Sequence, residues 1–282
     1  MLVMTEPTLE VLAQKAVGGD RAALEAVVER LQDDVYNLAY RMLGRHGDAE
    51  DAAQDILIQV ITHLSEFRGE SSLRTWVWRI ATRHLVRARK GAWEAQMSFE
   101  AIEGLCEAGN ANPPMPDLQE AEIEVLIEEI RATCNEAMLL SMDRDHRVAW
   151  ILSEAFDLDG EEAAAILEIQ PAAFRKRVSR ARERLSTFMQ KNCGVMNPAN
   201  PCSCRRQVPV ALAAGVVRQD ELQHAGRPRR GQGRSLPVVS GPDLFRRAAD
   251  VLCEHPEFAA PKALSAAIRD LLDSGRLGGL QS

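Results

Sequence analysis

The stretch DGEEAAAILEIQPAAFRKRVSRARERL, Asp159 to Leu185, decides how this chain of 282 residues is read. Asp159 stands three residues before Glu162, the spacing at which two side chains satisfy each other's free backbone donors at a helix start. Ala163, Ala164, Ile166 and Leu167 follow as a short helix, and Glu168-Ile169-Gln170 makes a turn. Pro171 then sits at a first helical position, where its missing N–H costs nothing. Beyond it Phe174, Val178, Ala181 and Leu185 recur at spacings of four and three, one apolar stripe. The opposite face presents Ala172, Arg175, Lys176, Ser179 and Arg180. Two short helices joined by a tight turn, the second one basic, make a helix-turn-helix, whose second helix lies in the major groove of DNA. Small residues at its start allow close approach to base edges, where arginine reads guanine bidentately. Arg177, Arg182 and Arg184 are placed for phosphate, which sets register without reading sequence. An ordinary helical hairpin with a basic outer face is the plain alternative.

A second basic helix lies about ninety residues upstream, Ser72 to Lys90. Leu73, Trp76, Val77, Ile80, Ala81 and Leu85 are its expected core face, which puts Trp78 off the core. Arg79, Arg83, Arg87 and Lys90 form a cationic stripe along the helix. Like charges one turn apart repel, so such a stripe calls for a polyanion or is simply solvated. Between the two basic helices, Gly91 to Glu136 holds eleven acidic residues against one basic residue, Arg131. That explains how a reader of nucleic acid can carry a net charge of −7: segregated charge acts locally because salt screens it over distance.

Hydrophobic content of 46% with only 5% aromatic residues, and few β-branched residues, makes all-α the expected class. Leu24, Val27, Val28, Leu31, Val35, Leu38, Ala39 and Met42 mark one long amphipathic helix, which Gly44 and Gly47 are expected to close. Asp48 is expected to cap the next helix, whose core face is Ala53, Ile56, Leu57, Val60, Ile61 and Leu64. Its other face holds Asp51, Gln54, Asp55 and Ile58. An apolar Ile58 among acids reads equally as a docking point or as an isolated surface residue. Phe67 to Ser72 (FRGESS) breaks the pattern, and a serine there can cap the helix that follows. The expected organisation is two small helical domains, 8–90 and 117–190, joined by an acidic linker, 91–116, flexible up to Pro116, and followed by a partly helical extension, 191–282. No apolar run reaches membrane-span length and no signal peptide is visible. A cytoplasmic protein with reduced thiols is therefore expected.

With these motifs in this order, the chain resembles the extracytoplasmic-function (group 4) sigma factors of bacterial RNA polymerase, in the sigma-70 family. Asp48-Ala-Glu-Asp-Ala-Ala-Gln-Asp55 looks like the family's core-binding helix, FRGESSLRTWVWRIA (Phe67–Ala81) like its promoter-melting segment, and Asp159–Leu185 like its −35-reading motif. The resemblance implies that Asp51, Gln54, Asp55 and Ile58 face the β′ clamp of core polymerase, with further contacts to β. It implies that Phe67, Arg68, Ser71, Ser72 and Arg74 capture the −10 element, while Arg79, Arg83, Arg87 and Lys90 hold the melted strand. Ala172, Arg175, Lys176, Ser179 and Arg180 would read the −35 element. The acidic linker would pass through the polymerase's RNA channel, standing in for nucleic acid. Two positions depart from the family pattern: its usual turn glycine is Glu168 here, and its common threonine early in the recognition helix is Ala173.

About ninety residues follow the resemblance. Cys193, Cys202 and Cys204 lie within twelve residues there, among turn formers. Soft thiolates suit zinc, copper(I) or cadmium, and three ligands leave a tetrahedral site one short. Cys134, His224, Cys253 and His255 are candidates for the fourth. Some members of this sigma class carry cysteine-rich extensions that make activity metal-dependent. A labile disulfide between Cys202 and Cys204, or cysteines without a role, are the other readings. No cofactor is required, and no nucleophile–base constellation or phosphate-cradling loop appears, so an enzyme is not expected. Control by the tail itself or by an anti-sigma factor is expected, without a membrane partner. Two rival functions remain: a stand-alone helix-turn-helix regulator, which leaves the Asp51 face and FRGESS loop without a use, and a metal-binding protein with a degenerate sigma body.

Overall fold

A computed structural model of the chain describes residues 6–225, 248–252 and 257–273. Among them there is no strand; one isolated bridge pairs Cys193 with Cys202, and everything else regular is helical, so the all-α expectation holds. The chain divides into two compact units that do not follow its linear order. The described part of the first is 6–89, 159–173 and 258–273; of the second, 90–158, 174–225, 248–252 and residue 257.

The first unit is built on α1 (Leu9–Val17), α2 (Arg21–Leu43), α3 (His46–Thr62) and α4 (Leu73–Arg87). The α2 stripe read from the sequence is buried throughout, and Gly44 ends the helix in the left-handed conformation (φ 72°), which glycine adopts at no steric cost. Ser72 caps α4 by accepting from the Thr75 N–H, and Glu10 of α1 accepts from the Leu73 N–H at 3.1 Å. Two expectations fail here. α3 starts at His46, so Asp48 lies in its first turn rather than at its cap, where a carboxylate still favours the helix dipole. On α4 the tryptophans exchange places: Trp78 is fully buried and Trp76 only half-buried. Both lie near the edge of the apolar stripe, and packing rather than period settles which goes in.

Two distant segments complete this unit. α9 (Gly160–Leu167) packs against α4, and α12 (Lys262–Asp273) packs against α2 and α3. α12 buries Leu264 and Ile268. Just before it, Asn37 of α2 donates to the Phe258 carbonyl at 2.7 Å and accepts from its N–H at 2.9 Å. The Phe258 ring lies 4.7 Å, centroid to centroid, from both Tyr40 and His46.

The second unit contains α5 (Ala92–Gln96), α6 (Phe99–Asn110), α7 (Glu120–Leu140), α8 (Arg144–Trp150) with a π turn at Ile151–Ala155, most of α10 (Pro171–Asn192), and α11 (Cys204–Ala213). The region expected as a flexible linker is thus largely helical. Ser98 caps α6, and Ile102 is buried. Glu94 accepts from buried Arg144 at 2.9 Å and from fully buried Arg147 at 2.9 Å. Arg147 also donates to the carbonyls of Leu139, Leu140 and Met142. Burial pushes the Glu94 carboxyl up, but the two guanidinium groups outweigh it and hold the group below its ordinary value. The tail belongs to this unit's core: Val208, Ala211 and Val217 pack on Ile123, Leu126 and Ile130 of α7.

Candidate nucleic-acid interface

The two basic helices present different chemistry. On α10, Ala172, Arg175, Lys176, Ser179 and Arg180 are all exposed. Among the described residues no ion pair engages Arg175, Lys176 or Arg180, so their donors are available at the helix's N-terminal half. The arginines farther along are in use. Arg177 pairs with Asp145 at 3.3 Å, Arg182 with Glu154 at 3.0 Å, and the Arg184 guanidinium lies over the Phe99 ring at 5.0 Å. Three cations expected at phosphates therefore brace their own unit, because acids and an aromatic ring of the preceding helices come within reach.

α4 is the reverse case. Arg79 donates to the Ala165 carbonyl at 3.1 Å, and Arg83 to the Glu168 carboxylate at 2.8 Å, both in the α9 segment. Thr75 donates to Glu162 at 3.1 Å. Glu168 adopts the left-handed conformation (φ 55°) at the end of α9, the backbone state that favours glycine. Its hydrogen bond to Arg83 lowers its carboxyl below the ordinary range, with Arg79 and Arg87 adding to the effect. Half of the expected cationic stripe is thus occupied, whereas Arg87 and Lys90 are exposed.

Beside α4 lies a groove of about 560 Å³ lined by Gln59, His63, Trp76, Ile80, Arg83 and Arg87. It joins an accessible indole face to two arginines, the combination that holds an unstacked base and its backbone. The neighbouring loop carries Phe67, whose ring centroid is 5.8 Å from that of Trp76, with Arg68 exposed, Ser71 half-exposed and Ser72 turned to its capping role. Arg74 points elsewhere, pairing with Asp34 at 2.8 Å. On α3, Asp51 and Asp55 are exposed while Gln54 and Ile58 are half-buried. The π-face of Trp76 was missed by periodicity, which placed it in the core.

The thiols form a separate cluster. Cys106, Cys134, Cys193, Cys202 and Cys204 all line an apolar cavity of about 120 Å³ in the second unit. The Cys202 and Cys106 sulfurs are 3.6 Å apart. Sharing a hydrogen bond, they titrate apart: Cys106 is pushed up, while the bond between them, with Gln207 and Arg206 nearby, lowers Cys202 to about 7. Burial raises Cys134, Cys193 and Cys204. Among the described residues no group of three or more Cys, His, Asp or Glu side chains is placed to hold an ion; the expected trio of Cys193, Cys202 and Cys204 shares the lining of this one cavity. His224, another candidate ligand, is buried 3.5 Å from Glu136; Cys253 and His255 lie outside the described residues. Cys106 was missed because it stands far upstream in the acidic segment.

The family model described as Sigma-70 region 2 matches residues 27–95. The ECF RNA polymerase sigma-E factor of Escherichia coli is 32% identical over 186 residues, covering 65% of this chain and 95% of that protein. The RNA polymerase sigma-H factor of Pseudomonas aeruginosa is 28% identical over 192 residues, 67% of this chain and 97% of that protein. Among solved structures, the sigma factor RpoE in complex with the anti-sigma factor NepR from Bartonella quintana matches with a TM-score of 0.38 and 22% identity, over 58% of this chain and 94% of that one.

Proposed function

The chain belongs to the ECF group of sigma-70 family RNA polymerase sigma factors, and from that premise we propose how its surfaces divide the work. As a sigma factor it is an initiation factor rather than an enzyme, and it binds core RNA polymerase and promoter DNA. The outward face of α3, with Asp51, Gln54, Asp55 and Ile58, meets the β′ clamp. The Phe67–Ser72 loop and the groove beside Trp76 take a base of the −10 element, with Arg79, Arg83, Arg87 and Lys90 along the melted strand. Ala172, Arg175, Lys176, Ser179 and Arg180 read the −35 element. The work is done in the cytoplasm, where polymerase and promoter are; among the described residues no helix is long and apolar enough to cross a membrane.

The observation that carries the division is the contrast in availability. Arg175, Lys176 and Arg180 of α10 are exposed and, among the described residues, without an ion pair, fit for a duplex that arrives first, whereas Arg79 and Arg83 are held by α9 and must change partners before they touch a strand. In vitro transcription with core polymerase tests it. Lys176→Ala is expected to shift −35 preference, and Arg83→Ala to slow opening on every promoter alike. Uniform loss of affinity across promoter sequences for both variants would sink the division.

The tail is proposed as a regulatory element acting in cis through its cysteines. Thiolates supply the right donors for a soft metal, but the spacing among the described residues supports a redox input better than an ion cage.

A further inference from the structure

We infer that Cys106 and Cys202 form a reversible dithiol–disulfide pair, oxidised by hydroperoxides, that fastens the tail to α6. The two residues are 96 positions apart in the chain, yet their sulfurs stand 3.6 Å from each other. A disulfide requires about 2.05 Å, so side-chain rotation and a small shift of one segment suffice. The backbone around them is already fastened in register. The Gly194 N–H donates to the Cys202 carbonyl at 3.0 Å, and any side chain at Gly194 would collide with that oxygen. The Gln207 amide reaches both the Cys202 sulfur and the Cys106 carbonyl. Both sulfurs face the same apolar cavity and both residues are half-buried, so a small oxidant has access. Sequence alone offered Cys204 as the partner of Cys202; the sulfur that the fold brings within 3.6 Å of Cys202 is that of Cys106.

The chemistry balances with one oxidant. The Cys202 thiolate attacks the O–O bond of the hydroperoxide. An S–O bond forms, the O–O bond breaks, and the leaving oxygen takes a proton from solvent to depart as alcohol or water. Cys202 is then a sulfenic acid, oxidised by two electrons. Cys106 gives up its proton and attacks that sulfur; the S–S bond forms, the S–O bond breaks, and a second water leaves. The Cys202 site suits the first role because Gln207 can donate to the sulfur and the Arg206 cation is close by.

The use of this pair in regulation rests on the sigma-factor reading; its chemistry does not. The full-length chain, reduced and treated with a chelator, is exposed to hydrogen peroxide, alkylated, and mapped by mass spectrometry without reduction. One cross-linked peptide joining Cys106 to Cys202 is expected, and dithiothreitol should remove it. In Cys106→Ser, dimedone should trap Cys202 as its sulfenic acid; in Cys202→Ser, Cys106 should stay reduced. The inference is overturned by a cross-link through Cys193 or Cys204 instead, by over-oxidised Cys202 beside free Cys106, or by zinc that at equimolar amount shields the whole cluster. The wild-type map needs no variant, so a misfolded one leaves it decided. Binding of the reduced protein to core polymerase is measured in parallel. No binding would sink the sigma-factor reading and leave the map intact, whereas a missing cross-link in a protein that binds polymerase sinks only the pair.

Discussion

Glu168 differs from a glycine at its position in two ways. It holds a left-handed backbone at a cost of roughly 1 kcal/mol, and its carboxylate grips Arg83. The pair is about half exposed, so it contributes no more than about 1 kcal/mol. The two effects nearly cancel, and Glu168→Gly should leave the thermal midpoint within a few degrees of wild type. What it should change is Arg83: permanganate footprinting is expected to report faster promoter opening, and unchanged opening would show that the contact restrains nothing. A buried pair behaves differently. Removing Glu94 leaves Arg147, which is wholly buried, without its counter-ion, and Glu94→Ala is expected to cost about 3 kcal/mol in urea denaturation. Because the Glu94 carboxyl lies below its ordinary value of 4.5, the pair stabilises the fold at all pH values above that and is lost as pH falls through the lower folded value. Urea midpoints measured from neutral to acid pH should therefore fall less steeply for Glu94→Gln than for wild type. Glu168 stood out in the sequence as a departure from pattern, but its partner did not, since nothing local links residues 85 positions apart. Glu94 was invisible as a buried acid because composition alone assigns acid-rich stretches to solvent.

Among the elements, α2, α3 and α4 were legible because their apolar residues recur at helical spacing, and α2 and α4 also carry capping signals at their ends. α6 was not. Pro113, Pro114 and Pro116 drew attention to a break, though Phe99, Ile102 and Cys106 already repeat at helical spacing before it. Residues 92–110 therefore read as linker while they fold as two helices. α12 falls in the extension expected to be partly helical, but its seat on α2 was not legible, because an apolar stripe such as Leu264, Ile268 and Leu271 specifies that something covers it and not what. Its attachment is tested by Leu264→Asp together with Ile268→Asp. Each removes a buried side chain worth roughly 1.5–3 kcal/mol, and limited proteolysis should then cut the segment ahead of α12 far faster than in wild type. Equal cutting rates would mean that α12 contributes little to the first unit.

For the molecule as a whole, the relatives account for about two thirds of the chain, which invites treating the remainder as an appendage. The second unit argues otherwise. Val208, Ala211 and Val217 supply one side of a core whose other side is α7. A chain ending at Gln190 loses that side, a deficit on the order of 5 kcal/mol by the area of three apolar contacts. It is expected to show a lower thermal midpoint and greater exposure of α7 in hydrogen exchange. Charge segregation works at this scale too, for several acids of the middle segment are spent internally: Glu94 on arginines and Glu129 on the tail. Glu129 is buried and accepts from the N–H groups of Gln223, His224 and Ala225 at 2.7, 2.8 and 2.8 Å. All three donors belong to the backbone. The clasp itself therefore does not depend on identity at 223–225, short of proline, although His224 is also buried beside Glu136; the single acid cannot be exchanged. A graft of this tail onto another sigma body would need that one carboxylate at the matching turn of α7 more than it would need any of the three residues it clasps.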